Sequence, residues 1–309
     1  MSIIYQAKSI RTMNPHLPQA THIAVRDGHI LAVGTAQDID GWQKAWGPLE
    51  LNTDFASRSL LPGFIEGHSH MMEGMFWDYH YVGFYDREGP DGTVWPGFKS
   101  IDAVVDKLKE IQATREDKDT PLLAWGFDPI YFTDRRMNAA DLDAVSEDCA
   151  VIVLHASLHI LNANNFVMDA ADVKNADNSE FIRRNENGQP NGEFLGQLGY
   201  YMAMRTTDIN LLAIASSPET LVNFANVARQ TGVTTATDLV NPVPEGSEKP
   251  MRDAIDADDF PMRLVVAFQG NSKEPDEAVA RMQELQASNS DKLRFSIVKM
   301  VADGSIQGF

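Results

Sequence analysis

Two histidines separated by one residue, in Gly67-His68-Ser69-His70, are the clearest chemical signal in the chain. On an extended strand, side chains two apart share a face, so both imidazoles can reach one ion. Imidazole nitrogen suits zinc, iron and nickel. With eight histidines in the chain, the spacing alone carries little. Its placement carries more: the pair follows a short apolar strand, Ser59 to Glu66, at the end where parallel sheets and barrels build their sites. The plainer alternative is a surface or core histidine pair. Lys299 ends another apolar strand, Leu293 to Val301, and Asp303-Gly304-Ser305 follows. From position alone an ordinary Lys299–Asp303 ion pair is favoured. Asp303 serves equally well as a helix cap or as a carboxylate orienting metal ligands. His155 and His159 sit on or just after an apolar strand, and no histidine follows His159. Trp77, Trp95 and Trp125 could line a pocket, although aromatic residues in loops more often pack.

The elements that must position these residues fall into three stretches. Residues 1–60 read as short strands, and Asp27-Gly28 between the alternating runs 22–26 and 29–33 specifies a two-residue hairpin. Residues 71–98, rich in Trp, Tyr, Phe, Met and Gly, read as an irregular aromatic loop. Ile101 to Ala113 has helical periodicity, and Leu122–Trp125 and Val151–Leu154 read as buried strands. Residues 172–192 read as a polar, solvent-facing hairpin. From Ser217 onward strands and helices alternate: helix 217–231, strand 233–239, helix 251–256, strand 263–268, helix 275–288, strand 293–301. That rhythm specifies a parallel sheet with crossover helices, an α/β fold.

Composition narrows the function classes. The formal net charge is −18, from 44 acidic and 26 basic residues. Such a surface repels phosphate backbones and anionic lipid heads, so neither nucleic acid nor membrane is expected as a partner. A single cysteine, Cys149 in an apolar run, excludes an intrachain disulfide. The first residues, Met1 to Lys8, lack the pattern of a signal peptide, and no run approaches a membrane span. A soluble cytoplasmic protein taking a small-molecule substrate is expected.

Leu60-Leu61-Pro62-Gly63-Phe64-Ile65-Glu66-Gly67-His68-Ser69-His70 resembles the first-strand metal motif of the amidohydrolase superfamily. Trp125-Gly126-Phe127-Asp128, Leu154 to His159 through Asn164, Gly188 to Leu195, Gly232 to Asp238, and Val298 to Ser305 resemble its amidohydrolase 3 (YtcJ-like) branch. The resemblance implies a TIM-type (β/α)8 barrel, of which the first four strands are present. It implies a small N-terminal β-sandwich module over residues 1–59, completed in related enzymes by C-terminal strands absent here, and a first half-barrel over 60–309 with an insertion at about 71–215. It implies one or two divalent metal ions, zinc foremost, held by His68, His70 and Lys299. A lysine in a dry cavity near cations has a lowered pKa, and its neutral amine can take up carbon dioxide; the carbamate then bridges two ions. Glu66, where the family more often has aspartate, and Asp303 would support the ligands. His159 and Asn164 would face the substrate, with Trp125 beside them.

The implied reaction is hydrolysis of a carbon–nitrogen bond, amide-type, by metal-activated water. Two further histidines and the aspartate base belong to later strands, which the resemblance places beyond Phe309. No catalytic residue is therefore assigned within residues 1–309, and that stretch alone is expected to be inactive. The rest of the barrel would come from a longer polypeptide or a second chain, and a homodimer is a family-level expectation. Two alternatives stand beside this reading: a mononuclear deaminase-type relative, and a non-catalytic fragment or paralogue with a binding role.

Overall fold

At the Asp27-Gly28 turn both residues take positive φ, 49° and 76°, the geometry that lets a two-residue loop follow the strand twist. In the computed structural model, which describes residues 2–133, 135–173, 179–209, 214–215, 217–271 and 273–302, the chain divides into units 1–64 and 65–309. Asp303 lies outside the described residues, and so does Phe309, beyond which the base aspartate is expected. The support expected from Asp303 and the position of the base relative to Phe309 thus have no counterpart among the described residues.

In the first unit, β1 (Ser2–Arg11) pairs antiparallel with β2 (Gln19–Arg26), which pairs antiparallel with β3 (His29–Gly34). After helix α1 (Ile39–Trp46), β4 (Glu50–Asn52) and β5 (Ser59–Leu60) both add parallel to β1. The strands make one mixed sheet, and helix α1 packs on it. The sequence pattern alone suggests only strands here. Asp38 accepts the Thr35 backbone N–H at 2.7 Å and so closes the 3-10 turn Ala36–Asp38 that leads into the helix, and Ile39, Trp42 and Trp46 pack on Ile4, Ala24 and Leu49.

All of β6 (Phe64–Ser69) but its first residue belongs to the second unit; it carries the histidine motif and is followed by a 3-10 helix, Met71–Asp78. The aromatic segment is more ordered than its composition suggests: β7 (His80–Tyr81) is followed by a small hairpin of β8 (Arg87–Glu88) and β9 (Val94–Trp95). Helix α2 (Ile101–Thr114) starts at Ser100, whose hydroxyl accepts the Ala103 N–H, and buries Ile101, Val104, Val105 and Leu108. Then come β10 (Leu122–Phe127), α3 (Ala139–Asp143), β11 (Val151–His155), β12 (Ile160–Ala163), α4 (Asn165–Ala170), β13 (Ile182–Arg184), β14 (Pro190–Leu195) and α5 (Gly196–Met204).

These strands build a six-stranded sheet of order β13-β14-β12-β11-β10-β7. Every residue of β10 and β11 is buried. Their continuous apolar runs follow from burial on both faces: Leu123, Trp125, Ile152 and Leu154 enter one core, Leu122, Ala124, Val151 and Val153 the other. At Gly126, φ +90°, the register to β11 shifts, so Phe127 packs on the side of Leu122 and Ala124 while Trp125 keeps the opposite face. In the stretch read as a solvent-facing hairpin, residues 184–189 at the turn are exposed, but Ile182 is buried. Gly192, Glu193 and Phe194 are buried, because β14 pairs with β12 inside the sheet.

From Pro218 the expected alternation holds. Helix α6 (Pro218–Gln230) starts at Ser217, whose hydroxyl accepts the Thr220 N–H. β15 (Val233–Asn241), α7 (Glu248–Ile255), β16 (Arg263–Gln269), α8 (Pro275–Gln286) and β17 (Leu293–Lys299) follow. β15, β16 and β17 are parallel, and the sheet order is β17-β16-β15-β6. This is an α/β fold. Leu264, Val266, Phe268, Leu293 and Phe295 pack with Leu221, Met251, Ile255 and Leu285 of the helices. Phe64, Ile65, Ile297 and Val298, on the edge strands β6 and β17, stay exposed.

The 3-10 helix is fixed against α6 by close approach. A Cβ on Gly74 would lie 1.9 Å from the Thr220 carbonyl oxygen and 2.8 Å from the Phe224 nitrogen. Backbone cannot yield as a side-chain tip can. Gly74→Ala is therefore expected to destabilise the fold by about 2–3 kcal/mol. Thermal unfolding checks this, and an unchanged Tm would refute the contact.

Candidate functional site

His68 and His70 lie at the end of β6, ring centroids 5.4 Å apart and nearly perpendicular. Glu66, two residues earlier on the strand, accepts the His68 backbone N–H at 2.9 Å, so it fixes the strand end from which the imidazoles project. The Ser69 hydroxyl donates to the Thr237 carbonyl at 3.0 Å, tying β6 to β15. That link sets Asp238 beside His70: Oδ1 lies 3.5 Å from Nδ1, an ion-pair separation longer than a good hydrogen bond. Nδ1 is buried and has no closer hydrogen-bond partner. Asp238 is 1% exposed. This carboxylate, more than any other influence, holds the His70 imidazole above its usual pKa; burial opposes it, Glu73 adds to it and Lys299 works against it.

Glu73 is solvent-accessible but set in a concave wall. Crowding by protein raises its carboxyl pKa, while His70, Arg87 and His68 lower it. The His159 imidazole is lowered by burial and by His70. The fold thus brings His68, His70, Asp238, Glu73, Lys299 and His159 within electrostatic reach of one another. Among the described residues no three His, Cys, Asp or Glu side chains are close enough to form a ready metal cluster. The donor set still fits a divalent cation: two imidazoles on one strand end, one with an orphaned buried nitrogen beside a buried carboxylate.

Beside these residues lies a cavity of about 270 Å³ whose walls include Glu66, Ser69, Glu73, Phe76, Trp77, Arg87, Trp125 and Leu158. Trp125 is thus a cavity residue. Its ring stands 5.0 Å from Trp77, 5.1 Å from Tyr81 and 5.8 Å from Phe76. His159 is half-buried nearby, outside this cavity's walls.

Asn164 corrects the expectation drawn for it. It is fully buried and caps α4, accepting from the Val151 and Val167 N–H groups at 3.2 and 3.3 Å. Its amide donates to the Ser146 and Cys149 carbonyls, both at 2.8 Å. With its hydrogen-bonding capacity spent on backbone, it has none for a substrate. His155 is likewise a core residue: Nε2 meets Asn162 Oδ1 at 2.7 Å, and the ring packs on Phe127. Burial lowers its pKa from 6.5. The unfolded chain then binds the extra proton below pH 6.5, so this residue makes stability fall as pH drops through that value. The loss of Tm between about pH 7.5 and about pH 5.5 is expected to be smaller in His155→Gln; an equal loss would remove His155 as the cause.

Sequence reasoning missed Asp238, Glu73 and Arg87. Asp238 had a signal, a carboxylate closing the β-branched run Val233 to Thr237. Glu73 and Arg87 had none, because their place depends on the pairing of distant segments.

Comparison with known proteins gives concordant findings. The amidohydrolase family matches residues 54–309. The exoenzymes regulatory protein AepA of Pectobacterium carotovorum subsp. carotovorum is 26% identical over 244 residues, 76% of this chain and 49% of that protein. The protein LONG AFTER FAR-RED 3 of Arabidopsis thaliana is 24% identical over 234 residues, 75% of this chain and 37% of its own length. The chain thus spans half or less of the curated relatives it matches. Two crystal structures of uncharacterized metal-dependent hydrolases, from Pyrococcus horikoshii OT3 and Pyrococcus furiosus, share the fold at TM-score 0.61 over 99% of this chain. They are 14% and 15% identical, and the match covers 56% and 57% of their chains. No helix among the described residues is long and apolar enough to cross a membrane.

Proposed function

This chain belongs to the amidohydrolase family, and from that premise we propose that the protein is a metal-dependent hydrolase of a carbon–nitrogen, amide-type bond. The observation that carries the reading is the convergence of His68, His70 and Asp238 at the joined ends of β6 and β15. His68 and His70 would hold a divalent ion, zinc foremost, with Lys299 as a further or carboxylated ligand. When bound, such an ion lowers the pKa of water toward about 7 and polarises a carbonyl. Glu66 fixes the strand end through the His68 N–H, and Asp238 orients the His70 ring. Phe76, Trp77 and Trp125 give the adjoining cavity an apolar wall. The general base is not assigned to a residue up to Phe309. In the whole protein, further barrel strands would pair on the open edges of β6 and β17.

A second reading is a binding role without turnover. It is favoured by the two-histidine donor set and by the regulatory role in the AepA relative's name. Release of free amine from N-acyl compounds by the whole protein separates the two. Turnover that is abolished by chelation and restored by zinc is expected. No turnover with the metal bound would favour the binding role.

A further inference from the structure

Val243, in the loop from β15 to α7, takes φ +40°, a left-handed conformation that β-branched residues avoid. Such strain persists only where neighbours fix the peptide from several sides. Here three contacts do so. The Val243 N–H donates to Asn241 Oδ1 at 2.9 Å. The side chain is buried in the core that holds Met251 and Leu264. The carbonyl accepts from the Arg281 guanidinium of α8 at 3.5 Å, and Glu248 of α7 and Glu284 hold that guanidinium at 3.1 and 2.7 Å. Asn241 and Arg281 are themselves buried.

This turn occupies one end of the Asn241 amide and thereby aims the other. Because Oδ1 must face the Val243 N–H, Nδ2 is the atom that points to Asp238, donating to Oδ2 at 3.0 Å. Reversal of the amide would set two oxygens against each other and two N–H groups face to face. The other oxygen of Asp238, Oδ1, accepts the Val240 N–H at 3.3 Å and lies 3.5 Å from His70 Nδ1. A carboxylate with one oxygen fixed in this way cannot turn, so the second oxygen stays directed at the imidazole. The strained turn and the histidine are thus joined through two buried side chains.

We propose that Asn241 is a positioning residue. Locked by the Val243 turn, it fixes the Asp238 carboxylate and through it the His70 ring, so that Nδ1 carries the ring proton and Nε2 is left free as a donor. The inference deepens the metal-site reading and rests on it for what Nε2 binds, but the setting of the ring needs no metal.

The test uses Asn241→Ser, whose shorter hydroxyl can still accept the Val243 N–H but cannot reach Asp238. Zinc affinity, read by competition with a chelating dye, is expected to fall about tenfold, the lower end of the loss for groups that orient a metal ligand. In an Asp238→Ala background the same substitution is expected to cost nothing further, because its route to His70 is gone. Nitrogen-15 shifts of the His70 ring, in metal-free protein at a pH where the ring is neutral, give the second readout. They are expected to show the proton on Nδ1 in the unaltered chain and a mixture of both tautomers in Asn241→Ser. Arg281→Met, which frees the Val243 carbonyl from the other side, shifts the tautomers in the same direction by less and serves if Asn241→Ser folds poorly. Circular dichroism confirms the fold of each. Unchanged tautomers in a folded variant, unchanged zinc affinity in Asn241→Ser, or an equal loss with and without Asp238 overturns the proposal. A ring that shifts as expected in a chain that binds no zinc would instead sink the metal reading alone.

Discussion

His68→Ala loses most of the divalent metal that the chain retains after dialysis, and His70→Ala does the same. Both imidazoles project from one strand end, 5.4 Å apart, and no third histidine, cysteine or carboxylate of the described residues completes a cluster that would compensate. Loss of a partner that only orients a metal ligand costs about 10–100-fold in affinity, so loss of a ligand itself should cost at least about 100-fold. Asp238→Asn belongs to the milder class. It keeps the shape beside His70 but removes the charge that orients the ring. Lys299→Met distinguishes the one-ion and two-ion readings: metal content falls from two to one per chain if the lysine bridges, and is unchanged if a single ion is held. Metal analysis after equilibrium dialysis checks all four variants. Full occupancy in His68→Ala would remove the assignment.

Asn164→Ala unfolds the protein more easily by about 3 kcal/mol and leaves metal content unchanged. The estimate combines loss of a helix cap, about 1 kcal/mol, with backbone groups left unsatisfied in a dry interior, about 1–3 kcal/mol. Four hydrogen bonds disappear together, those to Val151, Val167, Ser146 and Cys149, and they join the start of α4 to the entry of β11. Asn164→Asp keeps the acceptor but loses both donors and buries a charge, so it is expected to be no better. Denaturant unfolding checks both. A variant of normal stability with impaired ligand binding would return Asn164 to the pocket.

The sequence revealed what local physics controls. Ser217 before α6 and Asp27-Gly28 between alternating runs each specify their geometry within a few residues. Lys299 and the His68–His70 pair stand at strand ends, where a parallel sheet gathers its side chains, but the metal role of Lys299 came from the family resemblance and not from its position. What stayed hidden depends on pairing at long range. The six-stranded sheet joins β7 at residue 80 to β14 at residue 195, and no local period encodes that order. For the same reason Arg87 looked like a loop residue, and nothing local marked Glu193 as buried. In the structure Glu193 is 1% exposed and held by Arg136 and Arg183. Asn164 was placed beside the substrate by the family resemblance alone, whereas the structure uses it as a buried helix cap.

The most direct test of the metal assignment is anomalous diffraction at the zinc absorption edge from crystals grown with zinc. A single strong peak, or a close pair, beside His68 and His70 is the expected result. Peaks only at surface sites, with the two imidazoles unliganded at saturating zinc, would contradict it.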